Sequence, residues 1–420
     1  MIKNFTASFF SNNRSRCLSA LPRNSVAVFF SGSELRKSAD VFYPFYPNRN
    51  YYYLSGHDEP NGVLVLLSCE NVKDSFLFVE EVSSDYERWF GSRKTPEEIL
   101  KQTGLRVTGN QYDFMPWLGC ILKKYNLTLF FDLWDYENPS KMGSIPREAS
   151  QIIERYPELM IESVHKTMMY LRTFKSDDEI VMMRRGIKIA DSCFRDLMKY
   201  VRSGMMEYQA KARFEYTAAC EGITDMAFQP IIATGKNIFC IHYTGYKDPI
   251  RKNDLFLCDS GVNYSGVCCD ISRTWPIDGW FTSEQEKYYS CALDASKTLF
   301  AMIRPGMQMR DIYRGQHRLM RRKLVEYGIA ANEEEAKRYI WHGGAHHIGF
   351  DNHDEVYIEN EPENLLMPNM VFAVDIGIYN PDSGIGLRIE DDCLVTQSGS
   401  ENMTASIPSE LTELRDILAQ

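Results

Sequence analysis

The stretch Asp254–Pro276, DLFLCDSGVNYSGVCCDISRTWP, constrains the fold more than any other part of the chain. Two apolar, β-prone runs flank Asn263-Tyr264-Ser265-Gly266, which reads as a tight turn. Each run carries one aspartate, Asp259 and Asp270, and their midpoint falls between Tyr264 and Ser265. A hairpin with a two-residue loop there sets the aspartates directly opposite each other, with Cβ atoms roughly 4.5–5.5 Å apart. Flanked by Leu255, Leu257, Val267 and Ile271, two such carboxylates repel. Either one takes up a proton or a cation sits between them. The rest of the chain favours the cation.

The hairpin belongs to a duplicated unit. Ser176-Asp177-Asp178-Glu179 opens a helix with capping-box spacing, and Ser283-Glu284-Gln285-Glu286 repeats it. Arg202-Ser203-Gly204-Met205 is matched by Arg304-Pro305-Gly306-Met307, and Gly222-Ile223 by Gly328-Ile329. All three pairs are separated by roughly 105 residues, a helix–helix–strands unit too long for a solenoid repeat. The repeat predicts a second acid-bearing hairpin. Met370–Ile378 and Gly384–Thr396 supply it, joined through the turn signal Asn380-Pro381-Asp382-Ser383. Asp375 and Glu390 lie on its two runs, again centred on the turn, among Phe372, Val374, Ile376, Leu387 and Ile389. Solvated charges need no such apolar surroundings.

Four of the eight histidines cluster in WHGGAHHIGFDNHD: His342, His346, His347 and His353. Gly343, Gly344 and Gly349 make this segment a loop or strand–turn. His242 follows the apolar run Phe239–Ile241. Asp259, Asp270, Asp375, Glu390 and one histidine offer four oxygen donors and one nitrogen, enough for two divalent ions with bridging carboxylates. The oxygen-rich set favours Mn²⁺, with Co²⁺, Zn²⁺ and Fe²⁺ as alternatives, and the lack of cysteine ligands argues against a structural zinc site. Two ions roughly 3.5–4 Å apart are machinery for hydrolysis. The remaining histidines are suited to donating to a substrate carbonyl or moving protons.

The first half has a different texture. Apolar runs at Val26–Phe30, Val63–Leu67, Phe76–Val79 and Leu127–Leu133 alternate with helix-like segments at Pro96–Thr103, Tyr112–Tyr125 and Arg147–Tyr156. This predicts an α/β domain with a partly parallel sheet. No phosphate-binding glycine loop follows any strand. Ser38–Leu67 packs Phe42, Tyr43, Phe45, Tyr46 and Tyr51–Tyr53 around prolines. It reads as core or a domain interface, or as a cleft wall or oligomer contact; Trp89-Phe90-Gly91 invites the same readings. Met168–Lys175 lacks periodicity and marks the junction, giving domains 1–172 and 173–420 in a chain of 420 residues.

Net charge is −10, with no lysine–arginine block, which argues against nucleic acid and anionic membrane as partners. No run reaches membrane-span length, and the first residues lack the apolar core of a signal peptide. Eleven cysteines, an odd number with no CxxC pair, read as reduced thiols in a cytoplasmic protein.

Taken together, the motifs resemble the pita-bread metallopeptidases: aminopeptidase P, prolidase and methionine aminopeptidase. Two aspartates eleven apart, then a histidine, a carboxylate on a strand and a final glutamate are matched in order by Asp259, Asp270, His346, Asp375 and Glu390. His242-Tyr243, HGGAHHIGFDNHD (residues 342–354) and RIEDD (residues 388–392) match further family phrases. ADVFYPFYPNRNYYYLSG, WFGSR and the linker RTFKSDDEI resemble the N-terminal domain and junction of aminopeptidase P.

The resemblance implies an α/β N-terminal domain of the creatinase/prolidase type, followed by an α+β pita-bread catalytic domain with an internal pseudo-twofold duplication. It implies a Xaa-Pro aminopeptidase whose metal-bridging hydroxide attacks the first peptide bond of peptides with proline second. His353 would stabilise the tetrahedral intermediate, and His242 and His342 would line the proline side. Tyr379 and Arg388 would lie near the substrate. Trp89 matches a tryptophan that in some members reaches a neighbouring subunit's site, consistent with a homo-oligomer, dimer or tetramer. Where the family has Glu-Pro-Gly, this chain has Asp375-Ile376-Gly377, which puts an aspartate in the position that binds metal and exchanges protons. The alternatives are a prolidase-type Xaa-Pro dipeptidase and a non-catalytic peptide-binding protein on the same fold.

Overall fold

The computed structural model describes residues 4–69, 72–133, 147–356 and 365–419. Two compact units are present, Asn4–Leu171 and one that begins at Arg172.

In the first unit, strands β1 (Ser25–Phe30), β2 (Val63–Cys69), β3 (Val72–Val79), β4 (Val107–Asn110), β5 (Thr128–Phe131) and β6 (Ile161–Ser163) form one sheet in the order β4-β3-β2-β1-β5-β6. The β1–β5, β5–β6 and β3–β4 pairs are parallel and the rest antiparallel, so the sheet is mixed as expected. Period-two alternation puts Val26, Val28, Val65, Leu67, Leu129 and Phe131 into one core with Phe114, Leu118 and Ile152 from the covering helices. Burying side chains of this size stabilises by about 1.5–3 kcal/mol each. The aromatic stretch divides: Tyr51–Tyr53 are buried on the helix Arg49–Ser55, while Tyr43 and Tyr46 stay exposed. Met168–Lys175 is not irregular for most of its length, because the helix His165–Thr173 runs through it.

The second unit contains two helix pairs, each followed by strands. Helix α1 (Asp177–Tyr200) is capped by the Ser176/Glu179 box and leads to α2 (Glu207–Cys220). Helix α3 (Ser283–Met302) leads to α4 (Met309–Glu326). The cap of α3 is Thr282 with Gln285, one residue earlier than the serine the repeat suggested. The two capping patterns are offset by one residue, and the earlier start goes with Phe281 buried against Tyr289, ring centroids 4.9 Å apart.

Strands β7 (Ile231–Thr234), β8 (Leu255–Ser260), β9 (Ile271–Pro276), β10 (Val371–Asn380), β11 (Ile385–Val395) and β12 (Ser400–Asn402) complete this unit. Their sheet runs β10-β11-β9-β8-β7, with β12 beside β11. The first hairpin departs from expectation. Asp259 faces Ser272, not Asp270. The turn residues are Ser265 and Gly266, with φ of 56° and 99°. A two-residue hairpin turn of this kind needs positive φ at both central positions, and Ser-Gly meets that with less strain than Tyr-Ser. The hairpin is therefore centred later than the midpoint of the two aspartates. The second hairpin pairs Asp375 with Glu390 as the spacing predicts.

Ser272 also pairs with Glu390 across β9 and β11. Asp259, Ser272, Glu390 and Asp375 thus form one cross-strand row over four strands. Asp270 lies just before β9, and its carboxylate meets those of Asp259 and Glu390.

Candidate metal centre and active site

The row opens into a cavity of about 510 Å³ in the second unit. It is lined by Asp259, Asp270, Asp375 and Glu390 from the sheet, His342, His346 and His353 from the histidine segment, and His242 from the loop after β7. Arg388, one strand alternation before Glu390, lines it too. Tyr379 sits just behind, with its hydroxyl 2.9 Å from His342 Nε2 and accepting from Arg388 Nη1 at 3.0 Å. Trp89 belongs to the first unit, outside this lining, and is 78% exposed.

Among the described residues two donor groups share Asp270: Asp259, Asp270 and Glu390, and Asp270, His346 and His353, each with ligand-type atoms within 4.8 Å of one another. His346 Nε2 lies 3.4 Å from Asp270 Oδ2 and 3.5 Å from Glu390 Oε1. The His346 and His353 rings stack at 3.8 Å. Asp375 belongs to neither group; its Oδ2 lies 3.2 Å from His342 Nδ1.

Several supports were not visible in the sequence. Ser272 Oγ donates to Glu390 Oε2 at 2.9 Å, and Asn352 Nδ2 donates to Asp270 Oδ2 at 3.0 Å. Arg388 donates through Nη2 to Asp259 and through Nε to Ser272 at 2.9 Å. Phe228, Ile231 and Ile241 give the cavity an apolar wall. The position of Asn352 beside His353 was the one available signal; register alone places Ser272.

The electrostatics are those of crowded, buried acids. Burial, then the neighbouring charges of Glu390 and Asp259, hold Asp270 well above the usual carboxylate range. Burial and then Glu390 do the same to Asp375. Asp259 is raised by burial against the opposing pull of Arg388. Glu390 goes the other way: burial works against its ionisation, but the hydrogen bond to His346, together with the Arg388 charge and the Ser272 hydrogen bond, outweighs it. Burial, assisted by Arg388, lowers His342 to about 4, and burial, assisted by His346, lowers His353 to about 4. Neutral imidazoles beside carboxylates are the protonation states that bind metal.

Two buried oxygens, Asp259 Oδ1 and Asp375 Oδ1, have no hydrogen-bond partner. Unpartnered buried carboxylate oxygens are costly unless a cation takes them. The donor set, rich in oxygen with one or two imidazoles, fits a pair of divalent ions.

Comparison with known proteins agrees with this chemistry. Residues 181–397 match metallopeptidase family M24, and residues 10–130 match the N-terminal domain of aminopeptidase P. The chain is 29% identical to the Xaa-Pro aminopeptidase of Escherichia coli, over 97% of each chain. It is 30% identical to Xaa-Pro aminopeptidase 3 of Dictyostelium discoideum, over 98% of this chain and 82% of that one. Its structure superposes on E. coli aminopeptidase P with the inhibitor Pro-Leu at a TM-score of 0.88, with 27% identity and 99% of each chain covered. The chain therefore belongs to metallopeptidase family M24, with an aminopeptidase P type N-terminal domain and the pita-bread fold.

Proposed function

We propose that this protein is a Xaa-Pro aminopeptidase, a metallopeptidase that releases the N-terminal residue from peptides with proline second. The convergence of Asp259, Asp270 and Glu390 with His346 in one cavity that also has an apolar wall carries the reading. Membership of M24 and the two Xaa-Pro aminopeptidase relatives support it.

Asp259, Asp270, His346, Asp375 and Glu390 would hold two divalent ions, with Mn²⁺ favoured by the oxygen donors. When bound, the ions supply Lewis acidity and a nucleophile made from water at neutral pH. The residues of the chain do the rest. Asp375 accepts and returns a proton, positioned by the His342 contact. His353 donates toward the oxygen that gains charge. His242 and His342 line the side that receives proline, and Phe228, Ile231 and Ile241 exclude water there. Arg388 orients Asp259 and, through Tyr379, His342. Trp89, exposed on its own unit, is available to a second copy, in keeping with a homo-oligomer.

All eleven cysteines are unbridged, in keeping with a reducing, cytoplasmic setting. No described helix is long and apolar enough to cross a membrane.

The test is a panel of Xaa-Pro peptides assayed with Mn²⁺, Zn²⁺ and Co²⁺ in turn. Cleavage after the first residue, lost with chelator, is expected. Cleavage of Xaa-Pro dipeptides alone would point instead to a dipeptidase of the prolidase kind.

A further inference from the structure

The linker Arg172–Lys175 takes no part in the chemistry above, yet it reaches directly into the histidine segment. Arg172 Nη2 donates to Asp351 Oδ2 at 2.6 Å and to Asp354 Oδ1 at 2.7 Å. Lys175 Nζ donates to Asp354 Oδ2 at 2.9 Å and to the carbonyl of Arg172 at 2.7 Å. Arg172, Lys175 and Asp354 are all buried. Asp354 is therefore held on both oxygens by two cations from one short stretch of chain.

This clasp closes the loop that carries the site. The Asp354 N–H donates to the His347 carbonyl at 2.7 Å, and the Gly349 N–H donates to the Asp351 carbonyl at 3.0 Å. Between those points lie Asn352, bonded to Asp270, and His353, stacked on His346. The packing leaves no slack: a Cβ on Gly349 would lie 2.0 Å from Asp354 Oδ2 and 2.7 Å from Lys175 Nζ. A buried ion cluster of this kind is weak evidence for stability, since well-packed apolar residues often do as well. Its geometric consequence is more specific: it fixes the Asp351–Asp354 end of the segment 346–354, whose other end is tied to β10 by the Ala373 N–H donating to the His346 carbonyl at 2.8 Å.

We infer that Arg172, Lys175 and Asp354 are positioning residues: the linker clamps the loop so that His346 and His353 are preorganised before any ion or peptide arrives. The inference deepens the peptidase reading and rests on it for the roles of His346 and His353. Supporting groups one step removed from a metal site change affinity or activity by about 10–100-fold when lost.

The experiment is hydrogen–deuterium exchange on the apoprotein, native against Asp354→Asn and Arg172→Lys. It needs neither ion nor turnover, so its failure is separable from failure of the peptidase reading. Exchange in residues 346–354 is expected to rise about tenfold in Asp354→Asn while β10 and β11 stay within about twofold of native. Arg172→Lys keeps the charge and loses the fork, so it shows the same local pattern more weakly and carries the test if Asp354→Asn does not fold. In the active enzyme kcat should fall by at least about tenfold with KM changed less than about threefold. Unchanged exchange in 346–354 in both variants, or an equal rise across β10 and β11, would overturn the inference.

Discussion

Asp375 and Glu390 face each other in register across β10 and β11, yet Glu390 joins the Asp259–Asp270 group and Asp375 does not. The cross-strand row is continuous in the backbone, but its last carboxylate stands apart from the others. The interruption falls at the position where the family phrase has a glutamate.

That relationship gives the first prediction. Asp375→Glu adds one methylene and carries the carboxylate toward Glu390 and Asp270. A misplacement of about 1 Å can cost on the order of a hundredfold in rate. Asp375→Glu is expected to raise kcat on a Xaa-Pro tripeptide about tenfold in Mn²⁺, and Asp375→Ala to abolish it. Steady-state kinetics of the three forms decide this; a glutamate variant slower than the native enzyme would count against it.

Arg388 gives the second. It is buried and bonded to Asp259, Ser272 and Tyr379. Arg388→Ala leaves Asp259 buried without its partner, at a cost of about 3–5 kcal/mol in the apoprotein. Urea unfolding of chelated samples measures it. A loss below about 1 kcal/mol would mean that Asp259 is already protonated in the native apoprotein.

Removal of metal should reverse the usual pH trend. Asp270 and Asp375 are raised well above the usual carboxylate range by burial and neighbouring acids. A group raised in the folded state contributes stability that is complete below its unfolded value, roughly pH 4, and is lost as pH rises through the folded value. The chelated protein should therefore melt higher at about pH 5.5 than at about pH 8, and Mn²⁺ should raise the melting temperature most at the upper pH. Scanning fluorimetry with chelator and with Mn²⁺ tests both; an apoprotein that gains stability from pH 5.5 to 8 would contradict the assignment.

How much of this could be read from the residues differs from one hairpin to the other. The Asp375–Glu390 pairing was legible because the second hairpin keeps one register from its turn to its end. The first hairpin hides its register. Its turn is set by the positive φ of Ser265 and Gly266, and the β8–β9 ladder stops short of that turn, where Gly261 presses on Cys269. A Cβ on Gly261 would lie 1.6 Å from the Cys269 carbonyl oxygen. The nine cavity residues named from the sequence carry their chemistry in their side-chain type, so motif spacing and the family resemblance found them. Ser272, and Gln316, which donates to the Asp375 carbonyl at 2.7 Å and accepts from the Gly344 N–H at 3.1 Å, are ordinary polar residues. Only the tertiary fold gives them a partner. The same holds for Arg172 and Asp354, brought together across 182 residues of chain.

The most direct test of the whole account is cleavage of a Xaa-Pro tripeptide by the native protein loaded with Mn²⁺, beside chelated protein and Asp270→Asn. Release of the first residue by the loaded native protein, and its loss by at least about a hundredfold in both controls, is the predicted result. No release with Mn²⁺, Zn²⁺ or Co²⁺, or release that survives chelation and Asp270→Asn, would contradict it.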